Sequence, residues 1–141
     1  MQILGFNFEK IKAERKSQVQ GKLEISSNID VSEISQEKLE IVKDQTPLKL
    51  GFDFIVKYKP DVAEISLHGA VLFVTDKDKA KDILKKWKTK KIEEELKIPL
   101  FNFIMTKCNM KALQLEEELT LPTHIPFPKL TPQQNQKSYA G

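Results

Sequence analysis

Two histidines, one cysteine and a run of three glutamates are the side chains with which this chain could do chemistry. His68 and His124 lie far apart in sequence, and neither has metal-ligand spacing to Cys108 or to the other. They read as a strand-surface histidine and a loop histidine. Cys108 falls on an apolar helical stripe, where an inert buried thiol is expected rather than a nucleophile. Glu116, Glu117 and Glu118 occupy successive helix positions and face different directions. They read as a solvated helix end, not as a catalytic pair. Five scattered glycines build no phosphate-binding loop. The expectation is no enzyme, no metal, no cofactor, and no functional role for either histidine or the cysteine.

One basic stretch remains. Lys77–Lys91 carries Lys77, Lys79, Lys81, Lys85, Lys86, Lys88, Lys90 and Lys91 around Trp87. A basic helix with an aromatic is one way to grip phosphates. Against that, Trp87 sits on the helix's own apolar face, the run holds no arginine, and Glu93, Glu94 and Glu95 follow at once. A solvated lysine face is the preferred reading. A nucleic-acid-binding accessory domain is the alternative, and nucleic acid is not expected as a partner.

The elements that must position any site begin with composition. At 141 residues, 40% hydrophobic and 30% charged, the chain suits one globular domain with a real core. A formal charge of +3 does not by itself demand nucleic acid or an anionic membrane. A lone cysteine excludes an internal disulfide and suits a reducing cytosol. The opening Met-Gln-Ile-Leu has no basic segment of a signal peptide, and no apolar run reaches membrane-spanning length. The expectation is a cytoplasmic protein without membrane insertion.

Period-two alternation predicts four strands. Ile3–Lys16 places Leu4, Phe6 and Phe8 on one face, then shifts its apolar set to Ile11 and Ala13, a change of phase that a bulge would produce. Lys22–Glu33 places Leu23, Ile25, Ile29 and Val31 together, and the segment from Ser35 to Gln45 fits either strand or loop. Thr46-Pro47 reads as a break before Leu48–Lys59, the clearest strand. Lys59-Pro60-Asp61 turns the chain into Val62–Thr75, with Gly69 at its middle and both faces apolar around Ala70–Val74. Asp76 reads as the N-cap of a short helix with Ala80, Ile83, Leu84 and Trp87 on its apolar side.

A long helix follows, with Pro99 expected in its first turn. Ile98, Phe101, Met105, Cys108, Ala112, Leu115 and Leu119 recur at steps of three and four and are expected to cover the sheet. Leu100, Phe103 and Ile104 lie off that stripe and are expected to form an oligomer interface. Pro122, Pro126 and Pro128 then impose an extended strap carrying Leu121, Ile125, Phe127 and Leu130. Residues 1–132 read as a single domain and 133–141 as a flexible tail.

This order is α+β: a four-stranded antiparallel sheet followed by a short and a long helix. It resembles the SecB export-chaperone family over most of Met1–Leu130. The resemblance rests chiefly on the long helix running into Leu121-Pro122-Thr123-His124-Ile125-Pro126-Phe127-Pro128-Lys129-Leu130, and on the glycine in His68-Gly69-Ala70-Val71-Leu72-Phe73. It implies a homotetramer, a dimer of dimers, that holds unfolded or precursor polypeptides in apolar grooves without ATP. By position, Phe6, Phe8, Val19, Leu23 and Ile25 would bind the client. The chain departs from the family in its short crossover Ser17–Gly21, its reduced terminal segment Thr131–Gly141, and a pI near 8.9 where the family is usually acidic. The expected partner is therefore a non-native polypeptide, with a translocase motor or a toxin–antitoxin system as the delivery partner.

Overall fold

The structure, a computed structural model, describes residues 1–19, 21–40, 43–128, 130 and 132. Its elements are β1 (Gln2–Arg15), β2 (Glu24–Gln36), β3 (Gln45–Lys59), β4 (Ala63–Asp76), α1 (Lys77–Trp87) and α2 (Glu94–Glu118). The strands form one antiparallel sheet in the order β1-β4-β3-β2. The α+β architecture is the one the sequence predicts. β1 and β2, consecutive in the chain, lie on opposite edges, so their connection crosses the end of the sheet.

The core forms where alternate positions of the two central strands meet the helices. Leu48, Leu50, Phe52, Phe54, Val56 and Tyr58 of β3 join Ile65, Leu67, Val71 and Phe73 of β4. The phase change in β1 is a bulge: Phe8 pairs with Gly69 but Lys10 pairs with His68, leaving Glu9 extra. Beyond it Ile11 and Ala13 stand opposite Leu67 and Ile65. A second bulge, between Ile3 and Gly5, expels Leu4 from the face it was expected to share with Phe6 and Phe8. A third, at Ser32, carries β2 on to Gln36 and turns Ile34 inward opposite Leu50. The bulge breaks the alternation, which is why the strand reads from sequence as ending at Glu33. Leu39 beyond it is exposed loop, and Ile41 and Val42 lie outside the described residues.

Gly69 is a requirement of packing. A Cβ there would collide with the Asn7 carbonyl oxygen and lie 2.8 Å from Phe52 Cζ. Thr46-Pro47, expected to break the chain, instead lies within β3. Pro47 accepts at its carbonyl from the Glu37 N–H at 3.0 Å, beyond the last β2–β3 pair. Its nitrogen lies on that same side, at the end of the β2–β3 ladder, so the missing N–H costs one terminal bond there and leaves the β3–β4 pairing intact.

Asp76 caps α1 as predicted, accepting from the Lys79 N–H at 2.8 Å. α2 begins before its expected start, so Pro99 lies inside the helix rather than in its first turn. The residues buried along α2 are Leu100, Ile104, Cys108, Ala112 and Glu116, an unbroken series of i, i+4 steps. Four residues turn a helix by about 40° more than a full revolution, so this ridge winds around the axis. The predicted stripe ran straight. The two lines cross at Cys108 and Ala112, which both contain, and diverge at the helix's N-terminal half. There Ile98 and Met105 are 56% and 40% exposed.

Candidate functional site

The five residues expected to bind a client fall in three places. Phe6 and Phe8 join Phe52 and Phe103 in one aromatic cluster at the β1 edge. Phe6 lies 5.0 Å from Phe8, 5.4 Å from Phe52 and 5.8 Å from Phe103, ring centre to ring centre. Both are half-buried and pack against the core. Val19 lies at the sheet end, with Arg15, Leu121, Pro122 and Phe127 around a cavity of about 730 Å³ between the end of α2 and the strap. Leu23 and Ile25 lie by β2, the opposite edge, with Ile25 paired to Tyr58. The edge order of the sheet separates them: no single groove contains all five.

A more compact concavity lies on the β2 side. The Ile29–Val31 stretch of β2, with Ile29 and Val31 turned inward, lies across from Trp87, Lys90, Ile92, Lys97 and Phe101 around about 330 Å³. β2 is an edge strand, its apolar row flanked by α1 and the α1–α2 connection and, among the described residues, by no further strand. Lys90 Nζ stands 4.4 Å above the Trp87 ring, and Lys97 Nζ 5.2 Å from that of Phe101. Trp87 packs against the core as its helix face predicted. Lys86, by contrast, is paired with Glu93 and, at 2.9 Å, with Asp82.

The expected oligomer interface is corrected. Leu100 and Ile104 are fully buried within the single chain, against the sheet, and Phe103 is half-buried in the aromatic cluster. Leu100 and Ile104 are therefore not free to meet another subunit. The physical reason is the winding i, i+4 ridge, which exchanges their face with that of Ile98, Phe101 and Met105. That second flank is the one α2 leaves open.

A buried polar cluster, which composition did not reveal, ties the strap to α2. Glu116 is fully buried, not part of a solvated helix end. Its Oε2 lies 2.7 Å from His124 Nδ1, and its Oε1 accepts the His124 backbone N–H at 3.2 Å. His124 Nε2 lies 2.8 Å from Asn109 Oδ1, and the imidazole stands edge-on to Phe54 with ring centres 6.0 Å apart. The Tyr58 hydroxyl donates to the Pro122 carbonyl at 2.5 Å. Burial, and then the nearby Glu116 carboxylate, push the Tyr58 hydroxyl well above the ordinary phenol range. One sequence signal was present: Glu116 continues the i, i+4 series through Leu100, Ile104, Cys108 and Ala112. The end of α2 is closed by Leu121 N–H to Glu116 O and Thr120 N–H to Glu117 O, with Thr120 at φ 54°. Arg15 adds bonds from Nη1 to the Leu119 and Thr120 carbonyls.

Cys108 is buried on the helix ridge, and burial raises its thiol pKa to about 12, the opposite of an activated nucleophile. His68 contacts Asp53 on the outer sheet face. Among the described residues no three His, Cys, Asp or Glu side chains converge as a metal site requires. No helix among them is long and apolar enough to cross a membrane.

No protein-family model matches the sequence, and no curated protein matches it. Among solved structures, the chain is similar in fold to the SecB-like chaperone Rv1957 of Mycobacterium tuberculosis, solved in complex with a ChAD peptide from the HigA1 antitoxin, Rv1956. The match has a TM-score of 0.54 at 14% identity, over 92% of this chain and 89% of that one. The fold of this chain is therefore that of a SecB-like chaperone.

Proposed function

We propose that this protein is a chaperone that binds non-native polypeptides on apolar surfaces and holds them without ATP. The observation that carries the reading is the apolar row of edge strand β2. Ile25, Ile29 and Val31 stand half-buried with no strand beyond them among the described residues, and the last two line a concavity with Trp87, Ile92 and Phe101. An extended segment laid there gains about 25 cal/mol per Å² of apolar surface removed from water, with little demand on sequence. It also meets the free backbone groups of an edge strand. The SecB-like fold supports the same reading, since the Mycobacterium tuberculosis neighbour holds a peptide. The exposed flank of Ile98 and Met105 supports assembly into a homotetramer. Delivery to a secretion translocase and pairing with a toxin–antitoxin system are two destinations for a client held in this way, the first placing the protein in the cytoplasm.

The test is suppression of aggregation. A denatured globular client diluted into buffer should stay soluble with stoichiometric protein, with or without ATP. Unchanged light scattering at a tenfold excess of protein would refute the reading.

A further inference from the structure

We propose that the β2 trough selects acidic apolar segments. In this arrangement an aromatic or aliphatic client side chain seats against Trp87, Ile92 and Phe101. Carboxylates beside it engage Lys90 and Lys97. The proposal rests on the polypeptide-binding reading and names the class of segment bound.

Three observations on the trough carry it. The first is unspent charge. Lys90 and Lys97 line the trough with their ammonium groups over aromatic rings, and among the described residues neither has a carboxylate within 4.0 Å. Their neighbour Lys86 is already taken by Asp82 and Glu93. A carboxylate arriving at Lys90 or Lys97 displaces no existing ion pair, whereas a basic segment meets two uncompensated ammonium groups. Asp30, the one acidic residue among the described lining, alternates with Ile29 and Val31 along β2, so its carboxylate turns to the opposite sheet face, where Oδ2 accepts from the Asn28 side-chain amide at 2.8 Å.

The second observation is that Lys90 is held in place. Its backbone takes a left-handed conformation at φ 60°, with Lys90 N–H bonded to Trp87 O at 2.8 Å and Lys91 N–H to Lys86 O at 3.1 Å. The turn that ends α1 thereby sets Lys90 back over the ring of Trp87. A placed cation loses less freedom on binding than a free surface lysine.

The third is the strand edge. Among the described residues β2 pairs only with β3, so its outer backbone groups, along the rim of the trough, have no partner strand. The bulge at Ser32 interrupts the ladder just beyond Val31, which limits the docked piece to a short segment.

Trp87 is the only tryptophan in the chain, so its emission reports on this trough directly. Two synthetic peptides, identical in their Phe and Leu positions but spaced by Glu in one and Lys in the other, are titrated into the full chain. The acidic peptide should perturb Trp87 emission and bind about tenfold more tightly at low ionic strength, with the preference shrinking in high salt. Lys90→Gln with Lys97→Gln should remove the preference while circular dichroism and melting temperature stay unchanged. The salt dependence of the unaltered protein is an independent readout if that variant folds poorly.

Equal binding of both peptides would overturn the charge selection and leave the polypeptide-binding reading standing. Acidic-peptide binding seen by anisotropy with Trp87 unperturbed would overturn the location. If neither peptide binds while the protein still suppresses client aggregation, the trough falls as the site and the polypeptide-binding reading stands; if suppression fails as well, both fall. Displacement of the acidic peptide by a single-stranded oligonucleotide, with a steeper salt dependence, would overturn the proposal in favour of nucleic acid.

Discussion

His124 and Glu116 meet twice: the imidazole Nδ1 lies 2.7 Å from one carboxylate oxygen, and the His124 backbone N–H donates to the other at 3.2 Å. Both side chains are buried, at 1% and 0% exposure, so the strap is fastened to α2 away from solvent. Removing one partner strands the other in a dry site. His124→Ala should therefore cost about 3–5 kcal/mol in urea unfolding, far more than a surface loop histidine would. A loss below about 1 kcal/mol would show that the pair does not hold the strap.

Gly69 lies under Phe52 and against the Asn7 carbonyl, so Gly69→Ala has no room. The β1–β4 ladder must shift, at a cost of about 1–3 kcal/mol. Phe52→Leu in the same chain should recover part of that loss by vacating the space over the glycine, as a double-mutant cycle would record. Purely additive losses would place the strain at the Asn7 backbone instead.

The two flanks of α2 should respond differently to substitution. Leu100→Ala opens a cavity in the core and should cost about 2–5 kcal/mol. Met105→Lys, on the open flank, should leave the monomer's fold intact and dissociate the proposed tetramer in light scattering at micromolar concentration. A 16.2 kDa species before any substitution would remove the tetramer from the proposal.

Cys108 gives a pH dependence of defined sign. Burial raises its thiol pKa from 9.0 to about 12 in the fold. The unfolded chain ionises first, so the folded chain keeps the extra proton and stability falls as pH rises from about 9 toward about 12. Cys108→Ala should lose less stability over that window, by up to about 1.4 kcal/mol per pH unit, while the two proteins run parallel below it. Tyr58 shifts in the same direction in both proteins and cancels in the comparison. Parallel curves up to pH 10.5 would mean that the thiol reaches solvent without unfolding.

The four strands, the capped short helix and the long helix are legible residue by residue, because period-two and helical patterns, Asp76 and the Pro60 turn act within a few residues. The sequence also marked the Glu9 bulge through the phase change between Phe8 and Ile11, and Gly69 as the middle of a central strand. Which side of α2 is buried depends on packing between distant elements. A straight stripe and a winding i, i+4 ridge both account for Cys108 and Ala112, and only contact with a twisted sheet chooses Leu100 and Ile104 over Phe101 and Met105. The fold alone placed β1 and β2 on opposite edges, which separates Phe6 and Phe8 from Leu23 and Ile25. Glu116 and His124 also met only in the fold, because the winding ridge carries a carboxylate inward and the strap returns an imidazole to it. The reason is common to all three: neighbouring residues specify local periodicity, whereas the face an element buries depends on the surface it packs against.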